Sequence, residues 1–340
     1  MPTPRPVIIL GPTAGGKSSL AVGLATRLDP PGEVISADSM QVYKRLDAGT
    51  AKPTVAQRAA AEHHLIDLVE PTERFTVADW LDRADARIAD VQRRGRRPIV
   101  VGGTNLYLKA LLEGLFDGPE PDPELRRQLQ QAPGPELHAC LQQLDPGAAE
   151  RIAPRDTQRL VRALEVYHLT GRPISELQRQ WRWRSQGGDT AGAADAPAYR
   201  HDPILLGLHY AAEAINPRIN LRVKAMFHPG KVDPDLAAEV CVAGESLPDE
   251  VARLRERGVL HEAVAPQASQ ALGYKQVLAV LERSDPKLHT MDDAFERTKV
   301  LTRRFAKQQR TWLKRFRGVR WLDAANVERF PAAIEALGEE

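Results

Sequence analysis

The octapeptide Gly11-Pro12-Thr13-Ala14-Gly15-Gly16-Lys17-Ser18 constrains this chain more than any other stretch. It fits G-x-x-x-x-G-K-[ST] and lies between an apolar run, Val7–Leu10, and a segment with helical spacing, Ser18–Leu28. A strand that feeds a helix through such a loop opens a parallel α/β unit. The loop also carries chemistry. Its glycines let successive backbone N–H groups converge on one anion, and the helix N-terminus adds partial positive charge. Lys17 supplies a mobile cation, and the Ser18 hydroxyl can reach a Mg²⁺ bound to the same phosphates. The motif specifies a di- or triphosphate; it does not specify ATP.

The neighbouring sequence agrees with a parallel sheet. Glu33–Ser36 and Pro98–Val101 read as short buried strands, and Thr76–Arg94 reads as a helix with Val77, Trp80, Leu81, Ala84, Ile88 and Val91 on one face. The alternation stops at the Pro- and Gly-rich stretch 117–123. From there to residue 180 the pattern is helical: Glu124–Gln131, Glu136–Leu144 and Thr157–Thr170, closed by Gly171. Gln186–Ala198 is rich in Gly, Ala and Asp and reads as a loop, and Pro203–Leu208 reads as a strand again. The expected architecture is α/β, a P-loop NTPase-like parallel sheet core flanked by helices, with a mostly helical insertion domain. Residues 1–116 and 201–340 form the two parts of the core, and 117–200 form the insertion.

Other classes fall away quickly. The two cysteines, Cys140 and Cys241, are too few and too far apart for a disulfide framework or a Cys-rich zinc module. No apolar run is long enough for a signal-peptide core or a bilayer span. A reduced, cytoplasmic protein is expected, with no membrane partner. The formal charge of +2 says little, but its distribution says more. The window Arg297–Arg320 holds ten Lys or Arg and no acid, and the rest of the chain is mildly acidic. Within it Arg303, Lys307, Arg310, Lys314 and Arg317 step by 4, 3, 4, 3, a stripe on one helix face. Leu301, Phe305, Trp312 and Phe316 fall on another face, available to dock the helix. No interleaved acid relieves the repulsion, so the stripe predicts contact with a phosphate backbone, with a membrane surface or a partner protein as the alternatives.

In an open parallel sheet, ligands bind outside the carboxyl ends of the strands. Three such ends are chemically loaded here. The phosphate loop follows the first strand, Ala37-Asp38-Ser39-Met40-Gln41 the second, and Gly102-Gly103-Thr104-Asn105 the third. Asp38 can be a general base, a metal ligand through water, or a helix cap. The paired glycines suit either a tight connection or close approach of a ligand to backbone. His63-His64 has no nearby Cys or acidic pair to complete a metal site, and both read as structural or peripheral.

The segments GPTAGGKS, ISADSMQVY (Ile35–Tyr43), GTAKP (Gly49–Pro53), VGGTNLYLKALLEG (Val101–Gly114), DTQRLVRALEVYHLTGRPIS (Asp156–Ser175), QALGYKQ (Gln270–Gln276) and TRRFAKQQRTWLKRF (Thr302–Phe316) together resemble the tRNA dimethylallyltransferases. The matches run in family order over nearly the whole chain. The resemblance implies transfer of a dimethylallyl group from dimethylallyl diphosphate to N6 of adenosine 37, beside the anticodon, giving N6-dimethylallyladenosine and diphosphate. It implies that Asp38 is the general base and that Thr104 contacts the target nucleotide. It places the diphosphate and Mg²⁺ at Gly11–Ser18, with Lys17 and Ser18, and adds Arg222 as a diphosphate-binding arginine. It assigns tRNA contacts to Asp38, Ser39, Met40, Gln41, Thr104, Arg126, Gln158, Arg159, Leu160, Val161, Arg162 and the stretch Gln270–Lys275. Arg303, Lys307 and Arg310 join them from the basic stripe. The insertion would face the anticodon stem-loop, and a monomer is expected. His228–Ala243 departs from the family pattern as an insertion, and Ser185–Ala198 does not match it.

The chemistry is coherent. An exocyclic adenine amine is a poor nucleophile and needs a held electrophile and a base. The departing diphosphate needs cations. A target base must leave its stack to reach a buried centre. Three rival readings share parts of this equipment: a P-loop small-molecule kinase, an adenylate isopentenyltransferase acting on free AMP, and a non-catalytic RNA-binding protein. The basic stripe and helical insertion fit the first two poorly, and intact Lys17, Ser18 and Asp38 argue against the third.

Overall fold

The computed structural model describes residues 3–116, 118–178, 199–233, 236, 244–324, 332, 333, 335 and 337. The expectations for Ser185–Ala198 and for most of His228–Ala243 lie outside the described residues. The chain divides into two compact units, Met1–Leu111 with His201–Glu340, and Leu112–Arg200.

In the first unit, β1 (Val7–Leu10), β2 (Glu33–Ser36), β3 (His63–His64), β4 (Pro98–Val101), β5 (Ile204–His209) and β6 (Val319–Asp323) form one parallel sheet. Its order is β3-β2-β4-β1-β5-β6. Ile9 of β1 lies opposite Val101 on one side and Leu206 on the other. Every residue of β1, β2 and β4 is buried, as expected of strands covered on both faces. Because β1 sits between β4 and β5, the loop that leaves it is flanked by the loops that leave its neighbours. That is the geometry of a ligand crevice.

The helices of this unit are α1 (Lys17–Arg27), α2 (Val55–Ala60), α3 (Val77–Arg93) and α4 (Asn105–Glu113). Gly16, at φ 79°, precedes α1 in the left-handed region that favours glycine. Thr76 and Asp79 form a capping box that starts α3. Trp80 of α3 donates its indole N–H to the Ser36 carbonyl at 2.9 Å and stacks on Tyr107 of α4, with ring centroids 4.6 Å apart.

The second unit holds α5 (Pro123–Leu129), α6 (Gly134–Leu144), α7 (Pro146–Ala149) and α8 (Thr157–Thr170), which ends on a left-handed Gly171. Its core is built from Leu137, Leu141, Leu160, Val161, Leu164, Val166, Ile174 and Leu177. A carboxylate, Glu165, is 0% exposed beside that core. It accepts hydrogen bonds from Arg126 at 2.8 and 2.9 Å, from Arg162 at 2.5 Å and from the Asp122 N–H at 2.8 Å. Burial pushes its pKa up, but the two guanidiniums outweigh burial and hold it below the ordinary value.

Back in the first unit, α9 (Ala212–Phe227), α10 (Leu247–Glu256), α11 (Tyr274–Leu281) and α12 (Met291–Leu313) follow β5. The expected docking face of the basic helix is corrected in part: Phe316 is buried, but it lies beyond the end of the helix. Ala294, Thr298, Thr302, Ala306, Gln309 and Leu313 are its buried side, while Phe305 is 40% exposed. Small residues let α12 approach its neighbours closely. The threonine hydroxyls are satisfied inside the helix, Thr298 on the Ala294 carbonyl and Thr302 on the Thr298 carbonyl, each at 2.7 Å. The helix also stops at Leu313, so Lys314 and Arg317 lie beyond it, and only Arg303, Lys307 and Arg310 form a helical stripe.

Candidate active site

The three loaded loops converge at the carboxyl edge of the sheet on a cavity of about 560 Å³. Its wall includes Thr13–Ser18, Asp38–Gln41, Gly102–Thr104, Arg222 and Gln270. Lys17 turns its ammonium back onto the Gly11 and Pro12 carbonyls, at 3.0 and 2.8 Å. Gly11 and Pro12 therefore shape the loop and hold its lysine without lining the cavity. Arg222 of α9 donates to the Thr13 hydroxyl at 3.0 Å, and Arg218 donates to the Ala14 carbonyl at 3.0 Å. Two helical arginines are thus moored to the phosphate loop.

Asp38 sits just past β2. Its Oδ1 accepts from the N–H groups of Met40 and Gln41, at 2.9 and 3.3 Å. Burial raises its pKa, while those two N–H donors and the charges of Lys17 and Arg222 pull it back. The Asx turn accounts for one carboxylate oxygen. The other, Oδ2, is 3.7 Å from the point where a Cβ on Gly103 would lie. Thr104 ties the neighbouring loop to this one: its hydroxyl accepts the Ser39 N–H at 2.9 Å and donates to the Ser39 hydroxyl at 3.2 Å.

Of the two causes open for the paired glycines, the tight connection accounts for Gly102. A Cβ on Gly102 would stand 2.1 Å from the Ala37 carbonyl oxygen. The chain's own backbone, not a ligand, takes the space, because the ends of β2 and β4 are bonded through Ala37 to Val101 at 2.8 Å and through Thr104 to Ala37 at 3.2 Å. This brings Asp38 and Thr104 side by side.

Two further motifs hold the rim. Tyr274 accepts the Gly49 N–H at 3.1 Å and donates to Glu250 at 2.5 Å, and Glu250 also accepts from Asp47 and Ala48. The loop so fixed presents the Thr50 and Ala51 carbonyls to the Gln41 side chain, each at 3.1 Å. Gln270 lines the cavity, while Lys275 is exposed and bonds the Gln270 side chain at 2.6 Å.

Sequence reasoning missed several wall residues. Leu301, Arg304, Phe305 and Gln308 of α12 line the cavity, so the presumed docking residues Leu301 and Phe305 belong to the site. Gln309 was overlooked because a Gln-Gln pair in a basic helix carries no periodic signal. His63 also lines the cavity, with its Nδ1 on the Ala61 carbonyl at 2.7 Å; burial lowers its pKa. His64 does meet acids, contrary to the sequence expectation. One is its sequence neighbour Glu62, at 3.7 Å, and the other comes from β2, Glu33 at 2.7 Å. Glu33 is already engaged by Arg94 and Arg96, which makes this a buried ion network at the start of β2 rather than a free metal site.

The basic stripe does not line the cavity. Arg303 donates to the Asn220 side chain and Arg310 to the Tyr210 carbonyl, both at 3.3 Å, and Lys307 is exposed. In the helical unit, the expected contacts at Leu160 and Val161 are corrected. They are 0% and 3% exposed, and their side chains are core. Arg126 and Arg162 neutralise Glu165. Gln158 and Arg159 remain on the exposed side of α8.

Comparison with known proteins agrees with this arrangement. Residues 41–316 match the family model for IPP transferases. The chain is 41% identical over 317 residues to tRNA dimethylallyltransferase 1 of Citrifermentans bemidjiense, covering 93% of this chain and 91% of that one. The crystal structure of a tRNA isopentenylpyrophosphate transferase from Staphylococcus epidermidis superposes with a TM-score of 0.64 at 30% identity, covering 99% of this chain and all of the other. A eukaryotic dimethylallyltransferase, captured in crystals acting on tRNA, superposes with a TM-score of 0.73 at 26% identity, over 98% of this chain and 77% of its own. With a phosphate loop, an aspartate and a threonine gathered at one sheet edge, and with relatives matched along almost its full length, the chain belongs to the IPP transferase family.

Proposed function

We propose that this transferase moves the dimethylallyl group of dimethylallyl diphosphate to N6 of adenosine 37 in tRNA, releasing diphosphate. The observation that carries the reading is the placement of Asp38 and Thr104 on the same cavity wall as Lys17 and Arg222. N6 attacks C1 of the dimethylallyl group as the bond from C1 to the diphosphate oxygen breaks. The N6 proton goes to Asp38, whose buried carboxylate is a stronger base than an exposed one. Lys17 and Arg222 take up the charge that grows on the leaving diphosphate, with the loop N–H groups and the start of α1 behind them. Thr104 holds the target nucleotide beside the base.

Ser18 contributes a hard oxygen donor to the same wall, which suits Mg²⁺ completed by diphosphate oxygens. Bound there, the cation would neutralise leaving-group charge. The tRNA partner is the anticodon stem-loop, approached by Gln41, Met40, Ser39 and Gln270 at the cavity and by Gln158 and Arg159 on the helical unit. Arg303, Lys307 and Arg310 contribute positive charge toward its phosphates. Among the described residues no helix is long and apolar enough to cross a membrane. A monomer acting in the cytoplasm is consistent with a tRNA substrate. The test is mass spectrometry of bulk tRNA after incubation with the protein, dimethylallyl diphosphate and Mg²⁺. A gain of one C5H8 unit on adenosine is expected; ATP turnover without RNA, or modification of free AMP alone, would overturn the reading.

A further inference from the structure

The loop that would hold the diphosphate and the loop next to the proposed base are joined by a side chain from the far end of the sequence. Gln309 of α12 is 0% exposed. Its Oε1 accepts the Thr13 N–H at 2.8 Å, and its Nε2 donates to the Gly103 carbonyl at 2.8 Å. Each half of one rigid amide therefore grips a different catalytic loop. The two grips are chemically specific, since one site is a donor and the other an acceptor, and a side chain here must accept at one end and donate at the other to serve both. A continuous run of bonds results. Arg222 bonds Thr13, Thr13 bonds Gln309, Gln309 bonds Gly103, and the adjacent Thr104 bonds Ser39 next to Asp38. The fit is close on the Gly103 side, where an added Cβ would lie 2.9 Å from Nε2.

We propose that Gln309 is a positioning residue, which sets the separation between the leaving-group loop and the proton-accepting loop. The inference rests on the transfer reaction proposed above. Associative displacement at C1 tolerates little error in the distance from nucleophile to leaving group. A misplacement of about 1 Å can cost roughly 100-fold in rate. Gln309 touches neither reacting atom; it fixes the frame on which both are held. Thr13 also spends its N–H on Gln309, so that donor serves the frame and not the diphosphate.

Two substitutions test this in the intact protein. Gln309→Met keeps length and removes both hydrogen bonds. It should lower the single-turnover transfer rate about 10- to 100-fold, with tRNA affinity changed less than about twofold. Gln309→Glu is the more telling variant. Its ionised carboxylate still accepts from Thr13 but sets an oxygen against the Gly103 carbonyl. Once protonated, it can donate there and restore the clamp. The ratio of its rate to wild type should therefore rise as pH falls, an effect that loss of packing cannot produce. Gln309→Met at wild-type rate, or a Gln309→Glu ratio that is flat with pH, overturns the proposal; if Gln309→Met does not fold, the pH ratio alone decides. Wild type run alongside separates the two ideas, because absence of transfer in wild type defeats the reaction, not the clamp.

Discussion

Asp38 shows how a single residue can be half legible. The sequence leaves base and cap both open, and the structure uses one oxygen for each: Oδ1 closes the turn over Met40 and Gln41, and Oδ2 is on the side facing Gly103. Asp38→Asn should keep the turn and slow transfer by about 10²–10⁴-fold, with the thermal midpoint nearly unchanged. Single-turnover rates and calorimetry on the same preparation check both halves of that statement; normal turnover would make Asp38 only a cap. Because burial raises its pKa, the acid limb of the rate profile should lie above the ordinary carboxylate range, activity falling as pH drops and Asp38 takes up a proton. Lys17→Ala and Arg222→Ala should weaken diphosphate binding, measured by titration calorimetry, more than tRNA binding. Equal losses of both would remove these two cations from the leaving-group site. Gly102 was visible as a special position, but the clash it avoids is with Ala37, which is 65 positions away and invisible to local pattern.

At the scale of elements, short buried strands and capped helices were the legible part. β1 and β4 coincide with apolar runs, β2 carries Val34-Ile35 between polar ends, and α8 coincides with its periodic segment because Asp156 and Gly171 mark both ends. β6 was missed because Val319–Asp323 is an edge strand with no buried residue and two charged ones, so it gives no apolar run. α12 was found, but its orientation was wrong: close packing selected Ala and Thr over Leu and Phe for the buried face. That rotation changes the salt prediction. Lys307, exposed, should lower the slope of log affinity against log salt by about 0.7–0.9 when neutralised, with little effect on folding. Arg303 and Arg310 also bond α9 and the loop after β5, so their neutral variants should lose thermal stability as well. Filter-binding titrations across salt, paired with melting curves, distinguish the two; an unchanged slope for Lys307 would turn the stripe away from RNA.

For the whole molecule, the chain is one contiguous helical unit, Leu112–Arg200, set within a unit made from both ends of the sequence. Each contains a buried acid with arginine partners, Glu165 in the helical unit and Glu33 in the other, and neither network was legible because each is completed from a distance: Arg126 lies 39 positions from Glu165, and Arg96 lies 63 from Glu33. Removing Glu165 by Glu165→Ala would leave Arg126 and Arg162 facing a void, and should cost on the order of 3 kcal/mol in a denaturant titration. A loss well below 1 kcal/mol would mean the pair is solvated. Glu33 is held down at a pKa of about 2, so its contribution to stability is present above the ordinary glutamate range and is lost as pH falls toward 2. The bond from Thr13 to Gln309 spans 296 positions, nearly the length of the polypeptide. During synthesis on the ribosome, the first loop is made 296 residues before the side chain that ties it. A message cut short before codon 309 yields a chain that lacks the side chain tying its two reactive loops together, so a catalyst of this design depends on translation running past that codon.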